Sequence, residues 1–237
     1  MKHGIAAIRT LIWMPFFYGG SVIIVSLAAL MSLVSQTAFV ATVRCWAIWN
    51  RWCARVLLGQ RVRVEGVLEA GPTFFLFKHE DMFETIDMPL LLRRPVVFAK
   101  QELFSIPLWG MLAHRYGLIA IERTAGASAL RAMRKAALAA MAAGRPLALF
   151  PEGTRVPHGE APSIRSGFAG VYKLIGVPVV PVAINSGRLK RGWRRYPGTI
   201  TYRVGPVIPP GLDREEAERR AHEAINALNS PLADTAL

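Results

Sequence analysis

The stretch TFFLFKHEDMFETIDMP places an imidazole and several carboxylates directly after an apolar run. His79 precedes Glu84 by five positions, Asp81 lies between them, and Asp87 follows. Inside one helix this spacing would place His79 and Glu84 about 140° apart, so the two side chains would not share a face. If the helix instead begins after Asp81, Glu84 falls in its first turn and can reach back to the imidazole. A carboxylate on one ring nitrogen would fix the tautomer and leave the other nitrogen as a general base.

These residues also have a purely structural explanation. Asp81-x-x-Glu84 matches a capping box, in which both side chains satisfy amide groups at the start of a helix. The two roles are compatible, since Asp81 can cap the helix while Glu84 orients His79. The sequence has no G-x-S-x-G nucleophile elbow, and neither cysteine lies near His79. We therefore expect the base to activate a hydroxyl group of the substrate.

Charged residues also follow other apolar runs that we interpret as strands. Lys100 follows VVFA, Glu122 and Arg123 follow GLIAI, and PEGTR, residues 151–155, follows LALF. Open α/β sheets bind ligands beyond the carboxyl ends of their strands, so parallel strands would bring these groups into one crevice. Lys100, Arg123 and Arg155 together suit a phosphate dianion. Each cation alone equally suits a solvated or salt-bridged position at the surface.

The elements that must position these groups follow from the rest of the pattern. Apolar runs bounded by Gly, Pro or charge predict strands at 73–77, 96–99, 117–121, 147–150, 177–184 and 199–204. Helical patterns lie at 128–144, 168–176 and 213–229. Strands alternating with helices predict an α/β fold with a mainly parallel sheet flanked by helices. We assign this domain to residues 59–237.

The N-terminal segment, residues 1–58, is predicted to anchor the domain in a membrane. From Thr10 to Val43 no charged residue or histidine occurs, a run longer than the roughly 20 residues that a spanning helix needs. Basic residues flank both ends, which favours keeping both ends on the cytoplasmic side. We therefore predict a membrane-embedded helical hairpin that turns around Ser32–Thr37. A single tilted span is the alternative.

The returning arm of this hairpin has an amphipathic pattern. Arg44, Arg51 and Arg55 fall on one helical face at about 100° per residue, opposite a tryptophan-rich face. This pattern is typical of a helix at the bilayer interface. The formal charge of +13 also favours an anionic partner. Only two cysteines occur, which excludes a disulfide framework and fits a reducing compartment.

The motifs together resemble those of the glycerolipid acyltransferases. KHEDMFET, AKQEL, IER, FPEGTR and GVPVVPVAI stand in the order and approximate spacing of that family's motif blocks, over roughly residues 60–208. Within that family, the motifs most resemble those of the bacterial 1-acyl-sn-glycerol-3-phosphate acyltransferases. The chain departs from the commonest H-x4-D form, since Lys78 precedes the histidine and Glu84 replaces the aspartate.

The resemblance implies a reaction and a set of site residues. A fatty acyl chain would pass from acyl-CoA or acyl carrier protein to the sn-2 hydroxyl of 1-acyl-glycerol-3-phosphate, giving phosphatidic acid. His79 would act as general base oriented by Glu84, without a metal or any cofactor beyond the acyl donor. The enzyme would work at the cytoplasmic face of a bacterial inner membrane. The substrate-binding residues would be Lys100, Arg123, Glu152, Gly153, Thr154 and Arg155.

Three alternatives to this function stay open from the sequence. Related enzymes acylate other lysolipids, including lyso-ornithine lipids. A non-catalytic, membrane-anchored lipid-binding module would explain RLKRGWRRY, residues 188–196, because its five cations and two aromatics suit anionic headgroups better than nucleic acid beside a membrane segment. A metal-dependent hydrolase would use the carboxylates around His79, but the segment lacks a second histidine at ligand spacing.

Overall fold

The structure, a computed structural model, describes residues 2–68, 71–121, 127–165 and 167–229. It begins with two packed antiparallel helices, α1 (Lys2–Val34) and α2 (Gln36–Cys53), and a π-helical turn, Ala54–Leu58. Ser35 separates the helices in an extended conformation and caps α2, because its hydroxyl accepts from the amide of Ala38. The structure thus forms the predicted helical hairpin with its turn at Ser35, and its embedding in a membrane stays a prediction.

Helix α1 exposes an apolar surface. An 18-residue window within it has a mean hydropathy of 2.0, yet only 17% of that window is buried. By length and composition α1 is able to cross a membrane, and no other helix in the described ranges meets that test. A buried core helix of a soluble domain would instead hide most of such a surface.

A seven-stranded sheet follows in the order β1-β9-β6-β2-β5-β3-β4. Its strands are β1 (Gln60–Glu65), β2 (Phe74–Phe77), β3 (Val96–Lys100), β4 (Ile119–Ile121), β5 (Leu147–Leu149), β6 (Val179–Ile184) and β9 (Gly198–Val204). Strands β2 to β6 run parallel to one another, while β9 is antiparallel to β6 and parallel to β1. The mainly parallel sheet is therefore confirmed. The short strands β7 (Lys190–Arg191) and β8 (Arg194–Arg195) form a separate hairpin.

Helices cover the sheet, and its side chains divide between two cores. The helices are α3 (Phe83–Leu91), α4 (Trp109–Tyr116), α5 (Ala127–Ala142), α6 (Gly167–Ile175) and α7 (Arg214–Ile225). In β2, Phe74 and Leu76 join the core that contains Phe168 of α6, whereas Phe75 and Phe77 join the opposite one. All four are fully buried, as expected for a strand covered on both faces.

The N-terminal helices share cores with the α/β part of the chain. Trp13 and Phe17 of α1 pack in one cluster with Ile86 of α3. Nearer the hairpin turn, Phe39 packs with Leu112 and Tyr116 of α4. Helices α1 and α2 therefore pack against both α3 and α4.

Arg51 of α2 has a partner that the helical pattern did not indicate. Its guanidinium turns toward α3 and pairs with Asp87. Asp87 is fully buried and also accepts from the hydroxyl of Tyr202 at 3.1 Å. The buried carboxylate requires a partner, and Arg51 supplies it.

Candidate active site

His79 and Glu84 are brought together by the start of α3. His79 lies in the loop after β2, and α3 begins at Phe83, so Glu84 stands in its first turn. Nδ1 of His79 lies 3.1 Å from Oε1 of Glu84. With the proton on Nδ1, the imidazole donates to the carboxylate and keeps Nε2 as an acceptor. This is the arrangement that a general base requires.

Glu84 is fixed from several directions. Its Oε1 accepts from the amides of Glu80 at 2.6 Å and Asp81 at 2.7 Å, and its Oε2 accepts from the hydroxyl of Ser186 at 2.8 Å. The side chain is fully buried. These donors hold the carboxylate in one position. The contribution of Ser186 has no signal in the local sequence, because it comes from a loop that follows β6.

The capping box forms only in part. Glu84 reaches back to the amide of Asp81, as predicted, but the Asp81 carboxylate forms a bidentate pair with Arg195 and accepts from the amide of Met82 at 2.8 Å. The N-cap position of α3 is Met82. Burial acts to raise the pKa of Asp81, but the hydrogen bond and charge of Arg195 outweigh it and lower that pKa. Asp81 thus fixes the loop to the β7–β8 hairpin.

Glu152 supports the backbone of His79 from inside the protein. Its Oε2 accepts from the His79 amide at 2.7 Å, and the ammonium of Lys78 lies 2.8 Å from Oε1. Both side chains are buried, and Lys78 also donates to the carbonyl of Glu160 and to Oδ1 of Asn226. The carboxylate of Glu152 therefore acts on Lys78 and His79, and it does not line the cavity beside them.

A cavity of about 950 Å³ adjoins the imidazole. Its polar end is lined by His79, Lys100, Gly153, Thr154 and Arg155, together with Arg165, which no sequence motif indicated. Gly153 has a φ of 66°, a left-handed conformation that lets the backbone turn tightly there. Arg123, the remaining predicted cation, lies outside the described residues.

The cavity's other end is apolar and runs toward the N-terminal helices. Val25 of α1, Phe39 of α2 and Leu112 of α4 are among its lining residues. Phe150 packs against the imidazole of His79, with 4.4 Å between the ring centroids. A base, several cations and a long apolar space therefore lie in one continuous cavity, which suits a substrate with an anionic head and a hydrocarbon chain.

Comparisons with known proteins support this interpretation. The sequence pattern of the family described as Acyltransferase matches residues 61–185, more than half of the chain. The chain belongs to the acyltransferase family. A 1-acyl-sn-glycerol-3-phosphate acyltransferase of Pseudomonas aeruginosa is 31% identical over 191 residues, covering 79% of this chain and 72% of the relative.

One further sequence relative and one solved structure are also similar to this acyltransferase. A lyso-ornithine lipid O-acyltransferase of Pseudomonas aeruginosa is 33% identical over 201 residues, covering 73% of this chain and 75% of the relative. The crystal structure of the 1-acyl-sn-glycerophosphate acyltransferase PlsC from Thermotoga maritima superposes with a TM-score of 0.73 at 20% identity, covering 98% and 99% of the two chains. This likeness shows that the two proteins share a fold.

The acyltransferase also contains a second histidine–carboxylate pair. Nδ1 of His158 lies 2.9 Å from Oε1 of Glu80, and Oε2 of Glu80 accepts from the amide of Gly187 at 2.7 Å. Burial raises the pKa of Glu80, although His158 and the Gly187 amide act in the opposite direction. His158 does not line the cavity. The spacing of these residues in the sequence gave no indication of the pair.

The carboxylates that the metal hypothesis would use have protein partners. Asp81 binds Arg195, Asp87 binds Arg51, and Glu84 binds amides, a hydroxyl and the imidazole. In the described ranges no three His, Cys, Asp or Glu side chains form a group suited to a metal ion. Arginine at a carboxylate supplies the positive charge that a bound cation would otherwise bring.

Proposed function

We propose that this acyltransferase moves a fatty acyl chain from acyl-CoA or acyl carrier protein to the sn-2 hydroxyl of 1-acyl-glycerol-3-phosphate. The observation that carries the proposal is His79, whose imidazole is oriented by Glu84 at the meeting point of a cationic and an apolar end of one cavity. The product would be phosphatidic acid. A relative named for this activity covers 79% of the chain.

The mechanism requires one proton transfer in each direction. Nε2 of His79 removes the proton from the sn-2 hydroxyl while that oxygen attacks the thioester carbonyl. Collapse of the tetrahedral intermediate breaks the C–S bond, and the imidazolium returns the proton to the leaving thiolate. Glu84 stabilises the imidazolium in between. General-base catalysis contributes roughly 10²–10⁴ in rate, so the remaining acceleration comes from positioning and electrostatic stabilisation.

The cationic end of the cavity would bind the phosphate of the acceptor. Lys100 and Arg155 line it, and Arg155 offers the planar fork that matches phosphate oxygens. Gly153 and Thr154 lie in the same turn, whose backbone comes close to the space available to the anion. Arg123 stays a predicted third cation. The acyl chains would occupy the apolar end between α1, α2 and α4.

The hairpin of α1 and α2 would hold the enzyme on one leaflet of the membrane. The exposed apolar side of α1 favours lipid contact, and the basic residues at both ends of the segment favour the cytoplasmic face of a bacterial inner membrane. Such a position would bring the cavity close to the lipid acceptor while a soluble acyl donor approaches from the cytoplasm.

A lyso-ornithine lipid is the second candidate acceptor, because the relative named for that activity is 33% identical to this chain. The same histidine would serve either acceptor, since both reactions acylate a hydroxyl group. The two differ at the cationic end, where a phosphate ester binds most strongly to paired cations. The residues around Lys100 and Arg155 would therefore determine which acceptor the enzyme prefers.

The test is thiol release from acyl-CoA or acyl carrier protein by the purified full-length protein. Lysophosphatidic acid and lyso-ornithine lipid are compared as acceptors, with His79→Ala as the catalytic control and a chelator in parallel. Acceptor-dependent release that the variant abolishes and the chelator spares supports the proposal. Turnover with lyso-ornithine lipid alone would make that lipid the acceptor in place of lysophosphatidic acid. Absence of thiol release with every acceptor would favour the lipid-binding module.

A further inference from the structure

The segment between β3 and the first turn of α4 has two apolar sides. We call residues 103–111, LFSIPLWGM, the rim segment; it contains no charged residue. Leu103 and Trp109 line the cavity on its inner side. On its outer side, Ile106 and Met111 are 47% and 50% exposed and do not line the cavity. The rim segment therefore presents apolar side chains both to the cavity and to the outside of the protein.

The conformation of the rim segment is specifically built. Leu108 adopts a φ of 64°, which a branched side chain rarely takes, and its side chain stays 45% exposed. Gly110 packs so closely on Phe104 that an added Cβ would lie 1.9 Å from that residue's carbonyl oxygen. Strained backbone persists only where the surrounding structure enforces it, and such positions cluster at ligand-binding segments. The aliphatic side chains on the outside therefore belong to a backbone conformation that the surrounding structure enforces.

This outer surface continues onto α1. Leu112, next to Met111, packs in one cluster with Ala28 of α1. Helix α1 has the same two-sided character at this level, since Val25 and Ala28 line the cavity while Ile23 and Leu27 are exposed. The apolar patch therefore extends across two elements that together enclose one end of the cavity. A continuous apolar surface of this kind marks a binding face rather than ordinary exposed residues.

We propose that the rim segment inserts into the hydrocarbon of the bilayer beside α1, and that a lipid acceptor enters the cavity laterally between them. The entry role rests on the proposed function, whereas the insertion does not. Lys100 and Arg115 flank the segment along the chain, and both are exposed. Lipid is the favoured occupant because the patch is continuous with the α1 surface, whose length and composition already suit a membrane.

The first experiment measures insertion directly. Full-length protein carrying Cys45→Ser and Met111→Cys is labelled with an environment-sensitive nitrobenzoxadiazole dye and reconstituted into vesicles. Cys45 is replaced because it is exposed, whereas Cys53 is buried. The matched control is Val207→Cys, which is 59% exposed and adjoins Ile208, the partner of Val179 at the amino-terminal end of β6, away from the cavity.

Quenching by chain-labelled lipids and by an aqueous reductant gives opposite results for the two possibilities. The proposal predicts that the dye at position 111 is quenched by the lipids and protected from the reductant, with the reverse at position 207. Free access of the reductant to position 111 would overturn it. Protection from both agents would assign the surface to a second copy of the chain or another protein, and would equally overturn it.

The second experiment tests entry by comparing acceptors. Met111→Asp and the control Val207→Asp are assayed with a long-chain acceptor in vesicles and with a short-chain acceptor dissolved as monomers. We expect Met111→Asp to lower turnover of the vesicle-borne acceptor about tenfold and to leave the monomeric one unchanged, because a carboxylate on the rim opposes insertion. Equal effects on both acceptors would reject the entry role. Absence of turnover with any acceptor in the unaltered protein would instead count against the proposed function.

Discussion

The two histidine–carboxylate pairs of this protein have nearly the same geometry and different surroundings. His79 contacts Glu84 through Nδ1 at 3.1 Å, and His158 contacts Glu80 through Nδ1 at 2.9 Å. The side chain of His79 is 15% exposed and adjoins the cavity, whereas that of His158 is 4% exposed and does not. Access to a substrate, rather than the pairing itself, therefore distinguishes a candidate base from a structural contact.

The two pairs are also built from neighbouring parts of the chain. Ser186 donates to Glu84 of the first pair, and the amide of Gly187 donates to Glu80 of the second. One loop after β6 thus fixes both carboxylates, while the ring of His158 fixes the segment after PEGTR. The two pairs thus share this loop but have no residue in common, so each can be altered by its own substitution.

The largest effect is expected when each of the two histidines is replaced in turn by glutamine. His79→Gln should lower kcat/KM about 10³-fold, since it removes the base, while His158→Gln should change it less than about threefold. The assay is acceptor-dependent thiol release, with thermal unfolding of both variants as the control for folding. Similar losses in the two variants would show that cavity access does not separate the pairs.

Replacing the two carboxylates should also affect activity only in the pair that adjoins the cavity, and the loss should be smaller than for the histidines. Glu84→Gln should lower kcat about 10²-fold, because the amide cannot stabilise the imidazolium and meets several donors with one oxygen. Glu80→Gln serves as the matched control and should preserve kcat within a few-fold. If Glu80→Gln lost as much activity as Glu84→Gln at equal stability, the second pair would have a catalytic role.

The loop that carries both pairs is held at a third point by Asp81 and Arg195, with a predicted effect on stability. Because the folded-state pKa of Asp81 is lowered, its contribution is present above the ordinary value of 3.8 and is lost as the pH falls through the folded-state pKa. Asp81→Asn should therefore lower the free energy of unfolding by about 2 kcal/mol near pH 7. Denaturant unfolding from pH 7 to pH 3 should show this difference shrinking; a constant difference would contradict the ionic explanation.

The cations provide the finest test of access. Arg155 lines the same cavity as His79, so Arg155→Lys should lower kcat/KM for a phosphate-bearing acceptor about tenfold by removing the bidentate fork. Arg134 is the matched control, because its guanidinium bonds the carbonyl of Leu174 outside the cavity. A lysine there should leave kcat/KM unchanged. Equal sensitivity of both sites would point to general charge attraction rather than a binding site.

Local pattern was sufficient to predict the parts of this fold that depend on nearby residues. The first-turn position of Glu84 relative to His79 follows from where an apolar strand ends and a helix can begin. The parallel strands were predictable because they are buried on both faces and read as continuous apolar runs. The sequence pattern did not predict β1, whose valines alternate with arginines at the edge of the sheet. It also did not predict α4, whose start is interrupted by Pro107 and Gly110.

Contacts between distant segments could not be predicted in this way. Ser186 and Glu152 reach the His79 loop from other strand ends, and nothing in their neighbouring residues specifies that partner. Arg51 shows the same limit: the helical pattern predicts its face, but the buried charge of Asp87 decides where its side chain goes. Whether a charged group faces solvent depends on what the fold leaves unpaired.

That last contact bears on attempts to make a water-soluble version of the enzyme. Trimming residues 1–58 would remove Arg51 and leave the carboxylate of Asp87 beside Tyr202 without its counter-charge. Burial already raises the pKa of Asp87 even with Arg51 present. The trimmed protein would have to take up a proton there or open α3, the helix that carries Glu84. Solubility is better sought by recoding the outward face of α1 than by deleting the helix.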